Sequence, residues 1–412
     1  MYLRLKKMFC DRGNTLAAAW SFNQLAYAII YPFIPIYLSA ERGIPYSTVG
    51  WIFPLLGIAV CCAPIPCGWM TDRWGRSFMM LFGQYSRGVL FFILAVMVFF
   101  NAPFWLFCVI LMLNTAVGTA FQVGSDAYLS DITTEKERPV YYSKIRVGFN
   151  LGWALGPAIG AFFAQTPFWL FFVATGLLCI AGGLFTGYAC CRNAGKVLPA
   201  TPQRPRKKQS FLPLLLTNRN LLLILCGVLL LTSLVSQLYS TMSVYSTMRI
   251  GISKESLGSI YSLNGFIVLF LQIPVTALVE KTRFSLKTKL LAGVLFYAAG
   301  FGLLGFAVNA VHVAIFVTIL TFGEILIHPA LYAVISNQAV PENAGKIMAA
   351  NALARGIGYA VGPWFGAQLF EKTPSNIILW GVLSSFAIAS AAVFYLAKTA
   401  APDPETKQQN LQ

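Results

Sequence analysis

Six ionisable side chains lie inside long apolar runs of the sequence, where a charge is costly. A charge in hydrocarbon costs several kcal/mol unless it faces a polar cavity or a partner, so each of these side chains is a candidate for binding or proton transfer. They are Arg87, Asp126, Arg146, Glu324, His328 and Arg355.

Glu324 and His328 are four residues apart, which places them on one face of a helix. A carboxyl group and an imidazole on the same face suit reversible proton binding. The structural alternative is an ion pair between Glu324 and Arg355, with His328 only hydrogen-bonded ahead of Pro329. The sequence leaves both interpretations open.

Asp126 and Arg146 are the other pair of opposite charge, and Asp126 is a further candidate for proton binding. They could form a gate that pairs when the cytoplasmic side closes, or a static pair that supports a neighbouring loop. Arg87 could likewise have either a gating or a static structural role. Its long side chain could also reach towards the cytoplasmic interface.

The composition indicates the environment of these groups. Of the 412 residues, 57% are hydrophobic and 11% are charged, which is not the balance of a water-soluble domain. The apolar runs are long enough to cross about 30 Å of hydrocarbon as helices. Runs so uniformly apolar do not fit the alternating strands of a membrane barrel. The sequence therefore predicts an all-α membrane protein.

The apolar runs predict twelve membrane spans with a long break in the middle. The break, 191–215, is basic and rich in proline, as a flexible cytoplasmic linker would be. It separates a bundle of six spans at 1–190 from a second at 216–398, and 399–412 is a cytoplasmic tail. The predicted spans are 15–39, 47–70, 78–100, 104–129, 140–164, 168–190, 216–248, 256–279, 288–308, 313–338, 345–369 and 376–397.

Basic residues are distributed unevenly over the loops. With the N-terminus inside, roughly 23 Lys and Arg side chains lie on the cytoplasmic side and roughly 4 on the other, which predicts two cytoplasmic termini in a cell membrane. The net charge of +16 follows from this bias. We therefore expect the lipid bilayer as a partner and no nucleic acid.

The two halves share short motifs in the same order. Gly152-Trp-Ala-Leu-Gly-Pro matches Gly358-Tyr-Ala-Val-Gly-Pro in the fifth span of each half. Val49-Gly and Leu257-Gly open a second match at the start of each second span. Both matches have an offset of about 206 to 208 residues, and parallel six-helix repeats are typical of transporters.

A charged stretch between the second and third spans reads Gly68-Trp-Met-Thr-Asp-Arg-Trp-Gly-Arg-Ser77. This stretch resembles the loop signature of the major facilitator superfamily. Together with the repeat and with Gly-x-x-x-Gly-Pro-x-x-Gly in the fifth span, it makes the chain similar to that superfamily, in particular to its twelve-helix drug:proton antiporters. The resemblance implies two six-helix bundles related by pseudo-two-fold symmetry. Ser77 departs from the family, which has a second basic residue at that position.

The resemblance also implies that the charged stretch is a conformational latch. Gly68 would let helices approach closely, Asp72 would face a helix N-terminus, and the arginines would pair with acids such as Asp131. The latch residues would be Gly68, Asp72, Arg73, Gly75, Arg76 and Asp131.

The fifth-span motif is associated with antiporters in that family. Its glycines would let two helices pack closely, and its proline would bend the helix. Ala161 and Ser143 stand where the family has glycine, and Asn114 stands where many proton-coupled members carry an arginine. The absence of an arginine at Asn114 removes one argument for proton coupling. The packing residues would be Gly152, Gly156, Pro157 and Gly160.

The resemblance also implies that the first, fourth, seventh and tenth spans line a central cavity. Amides and aromatic rings on or beside these spans suit an amphipathic organic solute. The proton-coupling candidates are Glu324, His328 and Asp126. The cavity candidates are Asn23, Gln24, Tyr27, Tyr31, Arg87, Asn114, Gln122, Arg146, Asn150, Gln237, Tyr239 and Arg355.

We therefore expect a secondary transporter that works by alternating access and exports a small amphipathic compound in exchange for protons, as in multidrug efflux. A carrier of an anionic metabolite is the alternative, because three intramembrane arginines face two acids. A non-transporting sensor or scaffold is the second alternative. We expect a monomer without cofactor or metal, and not an enzyme, since the sequence has no phosphate-binding loop or metal-ligand cluster.

Overall fold

The computed structural model describes residues 12–134, 137–163, 165–193, 218–282, 284–338 and 343–399. Within these ranges the secondary structure is helical and no β-strand is present. Most of the predicted linker, from residue 194 onward, lies outside the described residues, and so does the predicted tail beyond residue 399.

Long helical segments follow one another along the chain, and some of them contain breaks. We number them α1 Arg12–Ile30, α2 Tyr46–Trp74, α3 Arg76–Phe99, α4 Phe104–Ile132, α5 Arg138–Phe162, α6 Trp169–Asn193, α7 Arg219–Met248, α8 Lys254–Glu280, α9 Leu286–Phe306, α10 Ala310–Asn337, α11 Ala344–Lys372 and α12 Asn376–Leu396.

Among the described residues, nine of these segments are long and apolar enough to cross a membrane: α2, α3, α4, α6, α7, α8, α9, α10 and α12. The chain is therefore an integral membrane protein. The others, α1, α5 and α11, are less apolar because they carry more polar, charged and small residues. The full set of twelve spans stays a prediction.

The chain divides into two compact units. Unit 1 comprises Met1–Tyr37, Pro54–Pro202 and Ser253–Leu269. The remainder, Leu38–Phe53, Gln203–Ile252 and Phe270–Gln412, is unit 2. Each unit follows one predicted half of the chain, except for a short segment that comes from the other half. The domain boundaries read from the sequence stay predictions.

The short segment at the start of α2 is held within unit 2 by α11. The backbone nitrogen of Tyr46 donates to the Glu371 carboxylate over 2.5 Å. Gln368 donates to the Ser47 carbonyl over 2.7 Å. The first turn of a helix has backbone N–H groups without partners inside the helix, so Glu371 stabilises the beginning of α2.

The helices pair in the same order in the two units. In unit 1, α1 packs on α5 and α6, while α3 packs on α4 and α6. In unit 2, α7 packs on α11 and α12, while α9 packs on α10 and α12. This parallel supports the internal repeat that the sequence predicts, whereas the pseudo-two-fold symmetry itself stays a prediction.

Glycines bring α5 against the backbone of α1. A Cβ atom built on Gly156 would meet the Cβ of Ala28 and lie 3.1 Å from the backbone nitrogen of Ile29. A Cβ atom on Gly152 would lie 2.7 Å from the backbone nitrogen of Leu25. Backbone atoms cannot rotate aside as a side chain can. The close packing that the fifth-span motif predicts is therefore present in this structure.

The same contact recurs in unit 2, where α11 packs on α7. Added Cβ atoms on the α11 glycines would meet the Thr232 hydroxyl, the Ser233 carbonyl and the Gln237 amide of α7. The glycines concerned are Gly358, Gly362 and Gly366. Small residues at such contacts are typical of helix packing in membranes, where lipid is as apolar as the helices themselves.

Gly68 differs from these glycines. A Cβ atom at this position would find no atom within 4 Å, so the close helix approach predicted there is absent from this structure. The space beside Gly68 is open in this conformation, and a role of Gly68 in the latch stays a prediction.

The contrast between the two glycines gives a stability test. Gly156→Ala should lower the free energy of unfolding by about 1–3 kcal/mol, because the added methyl group overpacks the contact with α1. Gly68→Ala should leave stability unchanged or raise it slightly, since alanine favours helix. Thermal unfolding of the two variants in detergent measures both effects. An unchanged melting temperature for Gly156→Ala would show that the α1–α5 contact has room for a methyl group at this position.

Candidate functional site

The first helix of each half is broken at a corresponding position. α1 passes at Tyr31–Phe33 into a 3-10 turn and then into a π turn at Tyr37–Glu41. Two prolines, Pro32 and Pro35, explain this break, because proline has no backbone N–H and cannot continue the ladder. α7 has a 3-10 break at Ser236–Tyr239.

The α7 break contains no proline and has another cause. The side chains of Ser236 and Gln237 both donate to the Ser233 carbonyl over 2.9 Å. Such bonds compete with the regular helical ladder. Tyr31 and Gln237 are separated by the repeat offset of about 206 residues, and interrupted helices at corresponding positions of two halves mark the binding site in transporters.

In unit 1, Arg87 is the buried charge nearest the α1 break. Its side chain is 5% exposed and donates from Nη1 to the Asn23 Oδ1 atom over 2.6 Å. The Asn114 amide donates to the Arg87 carbonyl over 3.2 Å. In the described part of the chain Arg87 has no acidic partner, and its Nε atom is buried without a hydrogen bond.

Arg87 also fills the space beside α4. A Cβ atom built on Gly118 would lie 3.0 Å from the Arg87 Cδ atom and 3.1 Å from its Nε atom. Arg87 thus contacts both Gly118 and Asn114, and Asn114 is the α4 position at which many proton-coupled members of the resembled family carry an arginine. In this structure the positive charge beside Asn114 comes from α3.

Aromatic side chains lie next to this arginine. Tyr27 and Tyr31 stack with ring centroids 4.7 Å apart, and the Trp153 ring lies edge-on to them at 6.0 and 6.3 Å. The Arg87 guanidinium carbon lies 5.9 Å from the Tyr27 ring centroid. An aromatic wall beside a cation suits a flat amphipathic solute. Sequence reasoning missed Trp153, although this residue lies inside the fifth-span motif.

In unit 2, Arg355 is bonded to tyrosines. Its Nη1 atom donates to the Tyr332 hydroxyl over 3.0 Å, and it also forms a hydrogen bond with Tyr359. The structure does not contain the alternative ion pair between Glu324 and Arg355. Glu324 Oε1 lies 3.7 Å from His328 Nε2, which is longer than a good hydrogen bond. The two groups are neighbours, as the four-residue spacing predicts.

A cavity of about 30 Å³ lies beside these groups, enough for one or two water molecules. Asn351 is 5% exposed, and its Oδ1 atom has no hydrogen-bond donor among the described residues. It is four residues before Arg355 on α11, a spacing that could have revealed it, whereas nothing in the sequence marked Tyr297. The polar and aromatic lining is Tyr297, His328, Tyr332, Asn351, Arg355 and Tyr359.

Other predicted site residues lie elsewhere. Within the described chain no ion pair joins Asp126 to Arg146, so the static pair is not formed here and the gate stays a prediction. Gln237 is 1% exposed, and its amide bonds Ser233, Gly362 and Thr241, which makes it a packing residue in this conformation. Cavity roles for the remaining candidates stay predictions: Gln24, Gln122, Asn150 and Tyr239.

The charged stretch forms contacts between helix ends. Arg76 Nε donates to Asp131 Oδ2 over 2.9 Å and lies 3.6 Å from Asp72. Asp72 is 80% exposed at its side chain, and Arg73 lies over the Trp69 ring. Gly75 joins α2 to α3 at a φ of 93°, a left-handed conformation that favours glycine. The latch role stays a prediction.

Residues 16–363 match the sequence profile of the Major Facilitator Superfamily, which is most of the chain. The protein belongs to the Major Facilitator Superfamily. It is similar to the uncharacterized MFS-type transporter YqjV of Bacillus subtilis strain 168, with 26% identity over 91% of this chain and 90% of that protein. It is also similar to the multidrug resistance protein MdtH of Proteus mirabilis strain HI4320, with 24% identity over 84% of each chain.

Solved structures show the same fold at low identity. A POT family transporter in complex with 5-aminolevulinic acid has a TM-score of 0.75 and 16% identity, over 93% of this chain and 95% of that one. The nucleoside transporter NupG has a TM-score of 0.69 and 14% identity, over 93% of this chain and 98% of that one. These relatives are membrane transporters, and like them this superfamily member is not an enzyme.

Arg87 and Asn23 give a test of the unit 1 cluster. Asn23→Leu should lower the free energy of unfolding by about 1.5–3 kcal/mol, because it leaves a buried guanidinium N–H without its acceptor. Asn23→Asp has the same shape, keeps the acceptor and adds an opposite charge, so it should retain wild-type stability. Thermal unfolding in detergent compares the three proteins. Equal melting temperatures for wild type and Asn23→Leu would mean that another group satisfies Arg87.

Proposed function

We propose that this superfamily member exports a small amphipathic organic compound in exchange for protons. The observation that carries the proposal is the break in α1 and in α7 at repeat-related positions, each in a unit with a polar and aromatic cluster. Discontinuous helices at related positions are the structural pointer to a transporter's binding site. In this proposal the protein is a monomer in the cell membrane with both termini in the cytoplasm.

Proton exchange is assigned to Glu324 and His328. Their side chains are 24% and 28% exposed, so a proton can reach them, yet they lie within an apolar helix where a change of charge is costly. Arg355 is bonded to tyrosines, so Glu324 can change its charge without breaking a pair with that arginine. Binding of a cationic substrate and binding of a proton would then compete for the same carboxylate.

The substrate class follows from the lining groups. In unit 1, Tyr27, Tyr31 and Trp153 offer aromatic faces. In unit 2, the Asn351 Oδ1 atom is a buried acceptor that calls for a donor. An amphipathic compound suits the aromatic faces of unit 1, and unit 2, taken by itself, favours a substrate with a donor such as a cationic N–H group. The similarity to MdtH, named a multidrug resistance protein, supports the same class.

Alternating access would use the broken helices and the helix-end contacts. The irregular stretches of α1 and α7 can change shape with fewer regular hydrogen bonds to break. The Arg76–Asp131 contact would form and separate during the cycle as the latch. Asp126 and Arg146, which form no ion pair with each other in this structure, would pair in another state as a gate.

The transport test uses purified protein in liposomes with ethidium as the probe. Wild-type protein should accelerate ethidium movement when a pH gradient is imposed. Glu324→Gln should abolish this acceleration while exchange of ethidium at equal pH continues, because the variant cannot release a proton. Glu137→Gln, a change on an exposed loop, is the matched control and should behave as wild type.

The coupling assignment fails if Glu324→Gln retains the response to the pH gradient. The proposed class of substrate fails if wild-type protein moves ethidium no faster than empty liposomes under any gradient. The two results are distinguishable because the exchange assay at equal pH does not require proton coupling.

A carrier of an organic anion is the second candidate function. The observation that favours it is Arg87, a buried guanidinium with no acidic partner in the described chain and with an unbonded Nε atom. A carboxylate or phosphate would satisfy both its charge and its free donor.

Competition binding separates the two candidates. If the substrate is an anion, benzoate should displace a bound fluorescent anion, and Arg87→Gln should weaken that binding by about tenfold or more, through loss of a charge-assisted hydrogen bond. If the substrate is a cation, ethidium should bind to wild type and benzoate should not displace it. Arg219→Gln, at an exposed arginine in the first turn of α7, is the control for a general loss of positive charge.

A further inference from the structure

A second cavity in unit 2 lies apart from the Arg355 cluster. Its volume is about 260 Å³, and it is bounded by α8, α9 and α10. Most of the apolar lining comes from α10, and Val279 and Leu286 add to it from α8 and α9; the α10 residues are Ile325, Leu326, Pro329, Ala330 and Ala333. Thr276, Glu280 and Lys289 supply the polar part.

A proline in α10 borders the cavity. Pro329 has no backbone N–H, so the carbonyl of Ile325, four residues earlier, lacks its helical donor. Gln272 on α8 replaces that donor, since its Nε2 atom bonds the Ile325 carbonyl over 3.1 Å. Nε2 also bonds Thr276 over 3.1 Å. A hydrogen bond between α8 and α10 thus lies at the wall of the cavity, at Ile325.

The mouth of the cavity has one charge of each sign. Lys289 Nζ bonds Glu280 Oε1 over 2.9 Å, and the two side chains are 11% and 63% exposed. Glu280 is the last residue of α8, and Lys289 lies in the first turn of α9, so the pair lies at the level where the helices end. In a bilayer this is the level of the lipid headgroups.

The neighbouring surface faces lipid. Ile273 lies one turn before Thr276 on nearly the same face of α8 and is 75% exposed. Phe284, between α8 and α9, is 63% exposed. Large apolar side chains this exposed on an apolar helix contact acyl chains in the membrane. A lipid tail can therefore enter the cavity from the side.

We propose that this cavity binds one zwitterionic phospholipid with a primary ammonium headgroup. The ammonium would donate to the Glu280 carboxylate, the phosphate would accept from Lys289, and part of an acyl chain would lie against Pro329 and Ala333. A lysine has three donors and a carboxylate has two acceptor oxygens, so each group has capacity beyond its bond to the other. The charge pair matches a zwitterion, whereas an anionic headgroup would satisfy Lys289 and meet repulsion from Glu280.

The test is native mass spectrometry of the full chain released from nanodiscs. The nanodiscs contain equal amounts of phosphatidylethanolamine, phosphatidylcholine and phosphatidylglycerol. Wild-type protein should retain phosphatidylethanolamine over each of the other two by about fivefold, the effect of one charge-assisted hydrogen bond. Phosphatidylcholine has a quaternary ammonium without N–H donors, and phosphatidylglycerol has no positive charge.

Two variants separate headgroup recognition from cavity filling. Glu280→Gln should remove the preference over phosphatidylglycerol while a lipid is still retained. Ala333→Phe fills the cavity and should reduce retention of all three lipids, with its melting temperature measured to show that it is folded. Ala392→Phe adds the same ring on an exposed part of α12 and should retain lipid as wild type does.

The proposal is overturned if wild type retains the three lipids equally or favours phosphatidylglycerol. It is also overturned if Glu280→Gln keeps the wild-type preference, or if folded Ala333→Phe retains lipid like Ala392→Phe. None of these measurements depends on transport, so the lipid proposal is tested independently of the proposed export function.

Discussion

Close contact between glycine and helix backbone is the interaction on which the rest of this structure depends. In a bilayer, helices gain little by hiding apolar surface from lipid, so they associate through close packing and hydrogen bonds. Gly152 and Gly156 bring α5 onto α1, and Gly358 and Gly362 bring α11 onto α7. In each unit this contact holds the first helix of that half, which carries the break, against the fifth.

The helices in these contacts also carry much of the candidate site, and this explains their composition. α1, α5 and α11 are the long segments that fall short of the apolar character of the other nine among the described residues. They carry Asn23, Trp153 and Arg355, whose polar or aromatic side chains belong to the two clusters. A helix that must present glycines on one face and polar groups on another has few positions left for apolar side chains. At the corresponding contact, α7 has serine and threonine side chains, whose hydroxyl groups donate to carbonyl groups of the same helix.

The sequence predicts local features of the site well and spatial ones poorly. The spacing of Glu324 and His328 places them together because both lie on one helix, and the fifth-span motif predicts the α1–α5 contact. It could not show that Arg87 fills the position beside Asn114, since that depends on how α3 packs on α4. From the sequence, Glu324 is a possible ion-pair partner of Arg355. In the structure, Arg355 forms hydrogen bonds with Tyr332 and Tyr359, which the sequence alone does not indicate. Family membership rests on a match across most of the chain, and no motif identifies the substrate.

The proposed export requires that a proton and an organic cation compete for the Glu324 carboxylate. Proton release during binding tests it most directly, because linkage requires that a substrate which displaces a proton must release it to solution. Ethidium is added to purified protein in weakly buffered detergent, and the change in pH is recorded near neutral pH with Glu324→Gln as reference. Wild-type protein should release about one proton per ethidium bound, and the variant should release none. Binding of ethidium to wild type without proton release would contradict it.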